Sequence, residues 1–211
     1  MSATSPLLGT CQAVGERQGV RLWGPLDLTL GRGRAVHVQG ANGSGKTTLL
    51  RTLAGLRRPA AGRIVHGGPT WFIGHATPLA DELDARSNLR DLLDLHQAEV
   101  DAARIDAWLT RQGLPARRAV RQLSAGQRRR ITLAPLWLAP RPLWLLDEPF
   151  DALDQSTCEA LARWSAAHLA GGGAIVLSSH QSLPAGFPRC DVLRLGAAAP
   201  ATRPAGQELT P

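Results

Sequence analysis

Residues 35–47 read AVHVQGANGSGKT. The alternation in Ala35-Val36-His37-Val38-Gln39 predicts a strand. Thr47 to Leu56 predicts a helix that ends near Arg57-Arg58-Pro59. Between them GANGSGKT, residues 40–47, matches the phosphate-loop pattern G-x-x-x-x-G-K-[ST]. Each residue type answers a need. Gly40, Gly43 and Gly45 reach backbone conformations that a Cβ penalises. Consecutive N–H groups from Gly40 to Thr48, those of Ala41, Asn42 and Ser44 among them, can then turn toward phosphate oxygens. The helix starting near Gly45 adds its positive dipole end. Lys46 brings a compact charge to the β- and γ-phosphates, and Thr47 brings a hydroxyl to Mg²⁺.

Working outward, the apolar run PLWLLDEP, residues 142–149, predicts a buried parallel strand. Such a strand delivers Asp147 to the carboxyl edge of the sheet, beside the phosphate loop. A carboxylate there can hold Mg²⁺, usually through water. Glu148, one residue on, is positioned to orient or deprotonate an attacking water. Trp71-Phe72-Ile73 and Ala174-Ile175-Val176-Leu177 read as further buried strands, and residues 155–170 as a helix closed by Gly171-Gly172-Gly173. Residues 11–30 read as small antiparallel strands. Residues 84–121 carry helical spacing divided by Gly113 and Pro115, and another helix opens at Ser124. Strands alternating with helices predict an α/β fold with a mostly parallel sheet covered on both faces. Residues 84–140 stand as a helical insert between two strands. Residues 1–10 read as a flexible leader and residues 196–211 as a disordered tail.

The composition narrows the class without choosing a partner. The chain has 211 residues, 44% apolar and 19% charged, which suffices for a sizeable core and excludes overall disorder. Of 24 basic side chains only Lys46 is a lysine, Tyr is absent, and the formal net charge is +7. An arginine-rich surface suits nucleic acid, an anionic membrane face or acidic partners. A bias of composition toward Arg, Ala, Gly and Pro accounts for the same counts. Against that bias, the solitary lysine marks a place where a compact ammonium is wanted and a planar guanidinium is not. Cys11, Cys158 and Cys190 form neither a zinc-like spacing nor a disulfide framework, so a reducing, cytosolic setting is the expectation. No apolar run reaches the roughly 18–20 residues that span a bilayer, and no signal peptide is expected.

Leu123-Ser124-Ala125-Gly126-Gln127 opens the helix that leads to the acidic strand. Ser124 can cap that helix, and Gly126 lets backbone approach an anion. This LSAGQ resembles the signature of the ATP-binding-cassette family, normally LSGGQ, and lies between the two nucleotide motifs as it does there. Asp151-Ala152-Leu153-Asp154 is similar to that family's D-loop, and His180 in Leu177-Ser178-Ser179-His180-Gln181 to its switch histidine. The resemblance covers about residues 11–195. It implies a P-loop NTPase of the RecA-like kind, with a small antiparallel β subdomain and a helical subdomain about 84–140. It also implies a head-to-tail homodimer sandwiching ATP and Mg²⁺. The 123–127 segment then touches the partner's γ-phosphate, Asp154 contacts the partner subunit, and Glu148 and His180 act on the phosphate.

Two positions depart from the cassette pattern. Without Tyr, no aromatic stands at the usual adenine position, and Arg17 lies near it. A guanidinium can stack on a base, and an exposed loop arginine accounts for it equally. After Trp71-Phe72-Ile73 a Q-loop glutamine is expected, and His75 stands there, open to a surface role or a role in place of glutamine. The Gly74-His75 pair, the run LSAGQRRRITLAPLWLAPRPLWLLDEPFDALD and SSHQ together resemble one branch of the family. That branch is the ATP-binding subunit of the haem exporter of cytochrome c maturation. It implies integral-membrane partner subunits, a peripheral place on the cytoplasmic membrane face, and haem-related cargo. No CxxCH or paired-histidine spacing marks a haem site on this chain, and no nucleic-acid partner is expected. Three alternatives stay open: another small transporter's ATPase, a cassette acting on DNA or ribosomes, and a non-hydrolysing module. Glu148 and His180 together speak against the last.

Overall fold

The computed structural model describes residues 5–76 and 78–196. Eight strands and six helices are described in chain order. They are β1 (Leu8–Arg17), β2 (Val20–Leu30), β3 (Ala35–Gln39), α1 (Lys46–Leu53), β4 (Ala61–His66) and β5 (Thr70–Ile73). There follow α2 (Ala85–Leu95), α3 (Ala102–Arg111), α4 (Ala125–Leu133), α5 (Pro135–Leu138), β6 (Leu143–Asp147), α6 (Gln155–Ala170), β7 (Ala174–Ser178) and β8 (Asp191–Arg194).

The five-stranded sheet has the order β5-β6-β7-β3-β8, and its pairings are parallel. Alternation along each strand sends side chains to two separate cores. Leu143 and Leu145 of β6 join Val36, Val38 and Val176 on one face, under α1 and the antiparallel sheet. Trp144 and Leu146 face the other way, with Trp71, Ile73, Ile175 and Leu177, under the helices of 85–138 and α6. Burial on both faces explains why β6 and β7 read as continuous apolar runs.

The antiparallel sheet has the order β2-β1-β4. The leader expected over residues 1–10 is cut short here. Leu8 already pairs with Leu30 and His66, and Leu7 and Leu8 are buried in the core. The apolar pair is drawn in because β1 needs a flank against β2 and α1. Strand β4 did not stand out in the sequence, for its residues are mostly exposed and show no apolar alternation. Most of the expected tail, residues 197–211, lies outside the described residues. Among the described residues no helix is long and apolar enough to cross a membrane.

Trp71 is buried as the strand reading expects, with Nε1 donating to the carbonyl of Ala139 at 2.6 Å and the Arg141 guanidinium 4.2 Å above its ring.

Candidate active site

Strand β3 ends at the phosphate loop, and α1 starts at its far side with Gly45 as N-cap. Gly45 has φ 96°, and a Cβ there would lie 2.9 Å from Cβ of Leu22. Only glycine fits both the turn and the close passage of β2. The helix start has no side-chain cap, so its first N–H groups are left for a ligand. Lys46 is 8% exposed, and its ammonium donates to the carbonyls of Gly40 at 2.8 Å and Ala41 at 3.3 Å. The loop thus holds its charge at its own centre until an anion competes for it.

The end of β6 faces this loop. Asp147 is 1% exposed, yet both its oxygens are engaged. Oδ2 accepts from Thr47 Oγ1 at 2.8 Å, and Oδ1 from Ser178 Oγ at 2.7 Å. Sequence reading placed Thr47 and Asp147 together. Ser178, at the end of β7, was not singled out, and its register opposite Asp147 explains the bond. A buried carboxylate beside a hydroxyl, both hard oxygen donors, suits Mg²⁺.

Glu148 adopts φ 49°, a left-handed conformation that costs a non-glycine residue on the order of 1 kcal/mol or more. Several contacts hold it. Its N–H donates to Ser178 Oγ at 3.1 Å. Its Oε2 accepts from the N–H of His180 at 3.0 Å and lies 3.0 Å from His180 Nδ1. Its carbonyl accepts from Arg129 Nη2 at 2.7 Å. The loops after β6 and β7 thus bring the carboxylate and the histidine together at the carboxyl edge. Between His180 and the phosphate loop lies an open groove of about 590 Å³, lined by Gln39, Gly40, Ala41, Asn42, Ser179 and Gln181 among others.

Arg128, Arg129 and Arg130 are consecutive on α4, and helical steps turn them in different directions. Arg128 reaches the carbonyls of Leu123 and Arg121, and Arg130 that of Gln112. Arg129 points inward at 3% exposure. Its guanidinium donates to the carbonyls of Gly74 at 2.6 Å, Asp147 at 3.1 Å and Glu148 at 2.7 Å. Burial pushes its pKa down, while Asp151, Asp147 and Glu148 nearby push it back up. One buried cation so ties α4 to the ends of β5 and β6. Three consecutive arginines on a core helix were the only sequence signal, and they do not say which one turns in.

The 123–127 segment lies on a neighbouring face. Ser124 caps α4 by accepting from the N–H of Gln127 at 3.2 Å, and Gln127 Oε1 accepts from the N–H of Ser124 at 2.9 Å. Ala125 is the first residue of the helix and Leu123 packs into the core. A Cβ on Gly126 would lie 2.8 Å from the carbonyl of Ala152. The glycine therefore already has a structural use, admitting the loop that carries Asp154. Asp154 caps α6, accepting from Thr157 N at 2.8 Å and Ser156 Oγ at 2.9 Å, and these bonds hold its pKa below the ordinary value.

His75 lies on the loop after β5, with Nδ1 3.3 Å from Asp151 Oδ2. Asp151 Oδ1 lies 3.9 Å from Nε2 of His180. Asp151 was read only as part of the D-loop run, and its link between the two histidines was not foreseen. Arg17 is exposed at the β1–β2 hairpin, and β2 carries the Leu22 and Trp23 that pack under Gly45. The structure brings Lys46, Thr47, Asp147, Glu148 and His180 to one edge. It leaves residues 123–127 and Asp154 on an adjoining face and Arg17 exposed at the β1–β2 hairpin.

The family model described as ABC transporter matches residues 24–151. Among curated proteins, the chain is 44% identical over 193 residues to the cytochrome c biogenesis ATP-binding export protein CcmA of Bordetella parapertussis, covering 85% of each. It is 41% identical over 206 residues to the protein of that name in Xanthomonas campestris pv. campestris, covering 92% of this chain and 96% of that protein. The Vibrio cholerae serotype O1 protein of that name is 39% identical, covering 83% and 91%. Among solved structures, the dimeric post-hydrolysis ATP-binding cassette MJ0796 bound to ADP and Pi superposes with a TM-score of 0.76 at 20% identity, covering 90% of this chain and 96% of that one.

Proposed function

The chain belongs to the ABC transporter family, within its cytochrome c biogenesis ATP-binding export proteins, and is an ATPase; we propose the following division of labour among its residues. The loop from Gly40 through Ala41, Asn42, Gly43, Ser44 and Gly45 to Thr48 cradles the ATP phosphates. Lys46 moves its ammonium from the carbonyls of Gly40 and Ala41 onto the β- and γ-phosphate oxygens, exchanging dipoles for full charges. Thr47 and Asp147 would hold Mg²⁺, which when bound neutralises charge on the phosphate oxygens. The hard oxygen donors and the burial of Asp147 fit that ion.

Glu148 takes the proton from the attacking water, and His180 positions that carboxylate and reaches toward the γ-phosphate. The observation that carries this reading is the 3.0 Å contact of His180 Nδ1 with Glu148 Oε2, opposite the phosphate loop. Residues 123–127 and Asp154 serve a second copy of the chain, placed head to tail. Arg17 serves the base. Residues 11–195 work as one ATP-binding unit, with the helical subdomain about 84–140 turned to integral-membrane partners at the cytoplasmic face. In keeping with the relatives' name, the work done is haem export or release of a haem-loaded chaperone in cytochrome c maturation.

Glu148→Gln tests the chemical reading. ATP binding should persist while turnover falls by about 10²-fold or more, and ATP should drive a dimer in size-exclusion chromatography with light scattering. Normal turnover removes Glu148 as the base. Affinity purification from membranes tests the cargo reading: haem-handling membrane subunits should co-purify, and a salt-sensitive nucleic acid in their place overturns it.

A further inference from the structure

Glu148, Asp151 and His180 each offer one donor atom, and these atoms lie within 4.8 Å of one another. His75 lies next to Asp151, its Nδ1 3.3 Å from Oδ2, outside that trio. The trio comes from the loops after β6 and β7, and His75 from the loop after β5. In the structure His180 lies 3.0 Å from Glu148 through Nδ1 and 3.9 Å from Asp151 through Nε2, so a shared ion would take one nitrogen of that ring and one oxygen of each carboxylate. The histidines are half to two-thirds exposed, so both rings have room to turn toward a shared ion.

This donor set differs from that of the Mg²⁺ pair. Asp147 is buried with both oxygens engaged by Thr47 and Ser178, whereas Glu148 turns its carboxylate to His180. Imidazole nitrogen suits Zn²⁺, Co²⁺ or Ni²⁺, and Mg²⁺ takes oxygen and water. A left-handed Glu148 between Asp147 and Asp151 is what sends adjacent carboxylates to different places.

We propose that Glu148, Asp151 and His180, joined by His75 when its exposed ring turns in, form a second metal site, selective for a divalent transition ion such as Zn²⁺, that holds the nucleotide-free ATPase inactive. The ion occupies the lone pairs that Glu148 and His180 need for water and phosphate. The inhibitory half of the proposal rests on the ATPase reading, while the binding half does not.

Co²⁺, as a coloured stand-in for Zn²⁺, tests it on the full chain without nucleotide and in excess Mg²⁺. One Co²⁺ per chain should bind with the visible bands of a low-coordinate ion. Asp151→Asn and His75→Ala should each weaken binding by about tenfold or more, the scale that even outer-shell partners reach. His75→Ala should keep the wild-type melting temperature within a few degrees, since that side chain lies at the surface. Asp151→Asn keeps the size of a mostly buried side chain, so circular dichroism of both variants should match the wild type. Zn²⁺ should inhibit ATP hydrolysis by the wild type at concentrations that spare Asp151→Asn. Absence of the visible bands, cobalt–thiolate absorption in their place, or unchanged affinity in both variants overturns the site. If the metal-free wild type fails to hydrolyse Mg²⁺-ATP, the ATPase reading falls, and the cobalt titration still decides the site.

Discussion

The phosphate edge and the 123–127 face handle polar groups in opposite ways. At the phosphate edge the bonds cross long stretches of chain and are buried or partly so. Thr47 meets Asp147, Ser178 meets Asp147, and Arg129 meets Gly74, Asp147 and Glu148. On the 123–127 face the bonds are local and exposed. Ser124 and Gln127 satisfy each other, and Asp154 satisfies Ser156 and Thr157. The first region can be assembled only by the complete fold. The second is finished within one turn of helix, by local bonds each with a net worth of about 1 kcal/mol.

The sharpest way to break this contrast is at its centre. Lys46→Ala removes the charge around which the phosphate loop closes and should lower ATP hydrolysis by at least about 100-fold, the scale of one lost electrostatic donor. Nucleotide binding by a fluorescent ATP analogue should fall with it. Turnover near the wild-type level would detach Lys46 from the phosphates.

Next in size is Arg129→Gln. The amide can serve some of the three carbonyls and leaves others unpaired, at about 1–3 kcal/mol for a buried group. Urea unfolding should report that loss. Because the same carbonyls fix Asp147 and the left-handed Glu148, kcat should fall while KM for ATP changes little. A stability loss with kcat unchanged would make Arg129 only a brace. Ser124→Ala should cost less, about 1 kcal/mol of helix capping. Being exposed, it should affect turnover only at protein concentrations where dimers form, and an equal loss at all concentrations would show that the capping bond acts within one chain.

How much of this was legible follows the same contrast. Lys46, Thr47, Asp147, Glu148 and the strand ends were legible because short-range pattern fixes them: a glycine-rich turn after an alternating strand, and acids closing an apolar run. The capping role of Ser124 was legible for the same local reason. Ser178 and Arg129 were not, since their roles depend on which strand lies beside β6 and on which of three arginines faces inward. Strands β4 and β8 were not legible either, because their mostly exposed residues carry no apolar alternation. The contact between His75 and Asp151 joins loops far apart in sequence, and only the sheet order brings them side by side.

The opposite end of β6 offers the smallest test and a control on the comparison. His168, near the end of α6, stacks on Trp144 with ring centroids 3.7 Å apart. Burial lowers its pKa from the ordinary value, with backbone groups of Ala174 and Pro142 opposing. His96, packed against Trp71 at 4.6 Å, is lowered too, first by burial and then by Arg141. In the unfolded chain both histidines take up protons near pH 6.5, while in the fold they resist until the pH is lower. Between those limits the unfolded chain binds more protons, so stability rises with pH and is lost as the pH falls below about 6.5. Urea midpoints measured from pH 7.5 down to 5.5 should decline, and His168→Gln should flatten part of that decline. If the variant declines as steeply as the wild type, the acid sensitivity belongs to His96 or to the carboxyl edge, and the two ends of β6 are less independent than their bonds suggest.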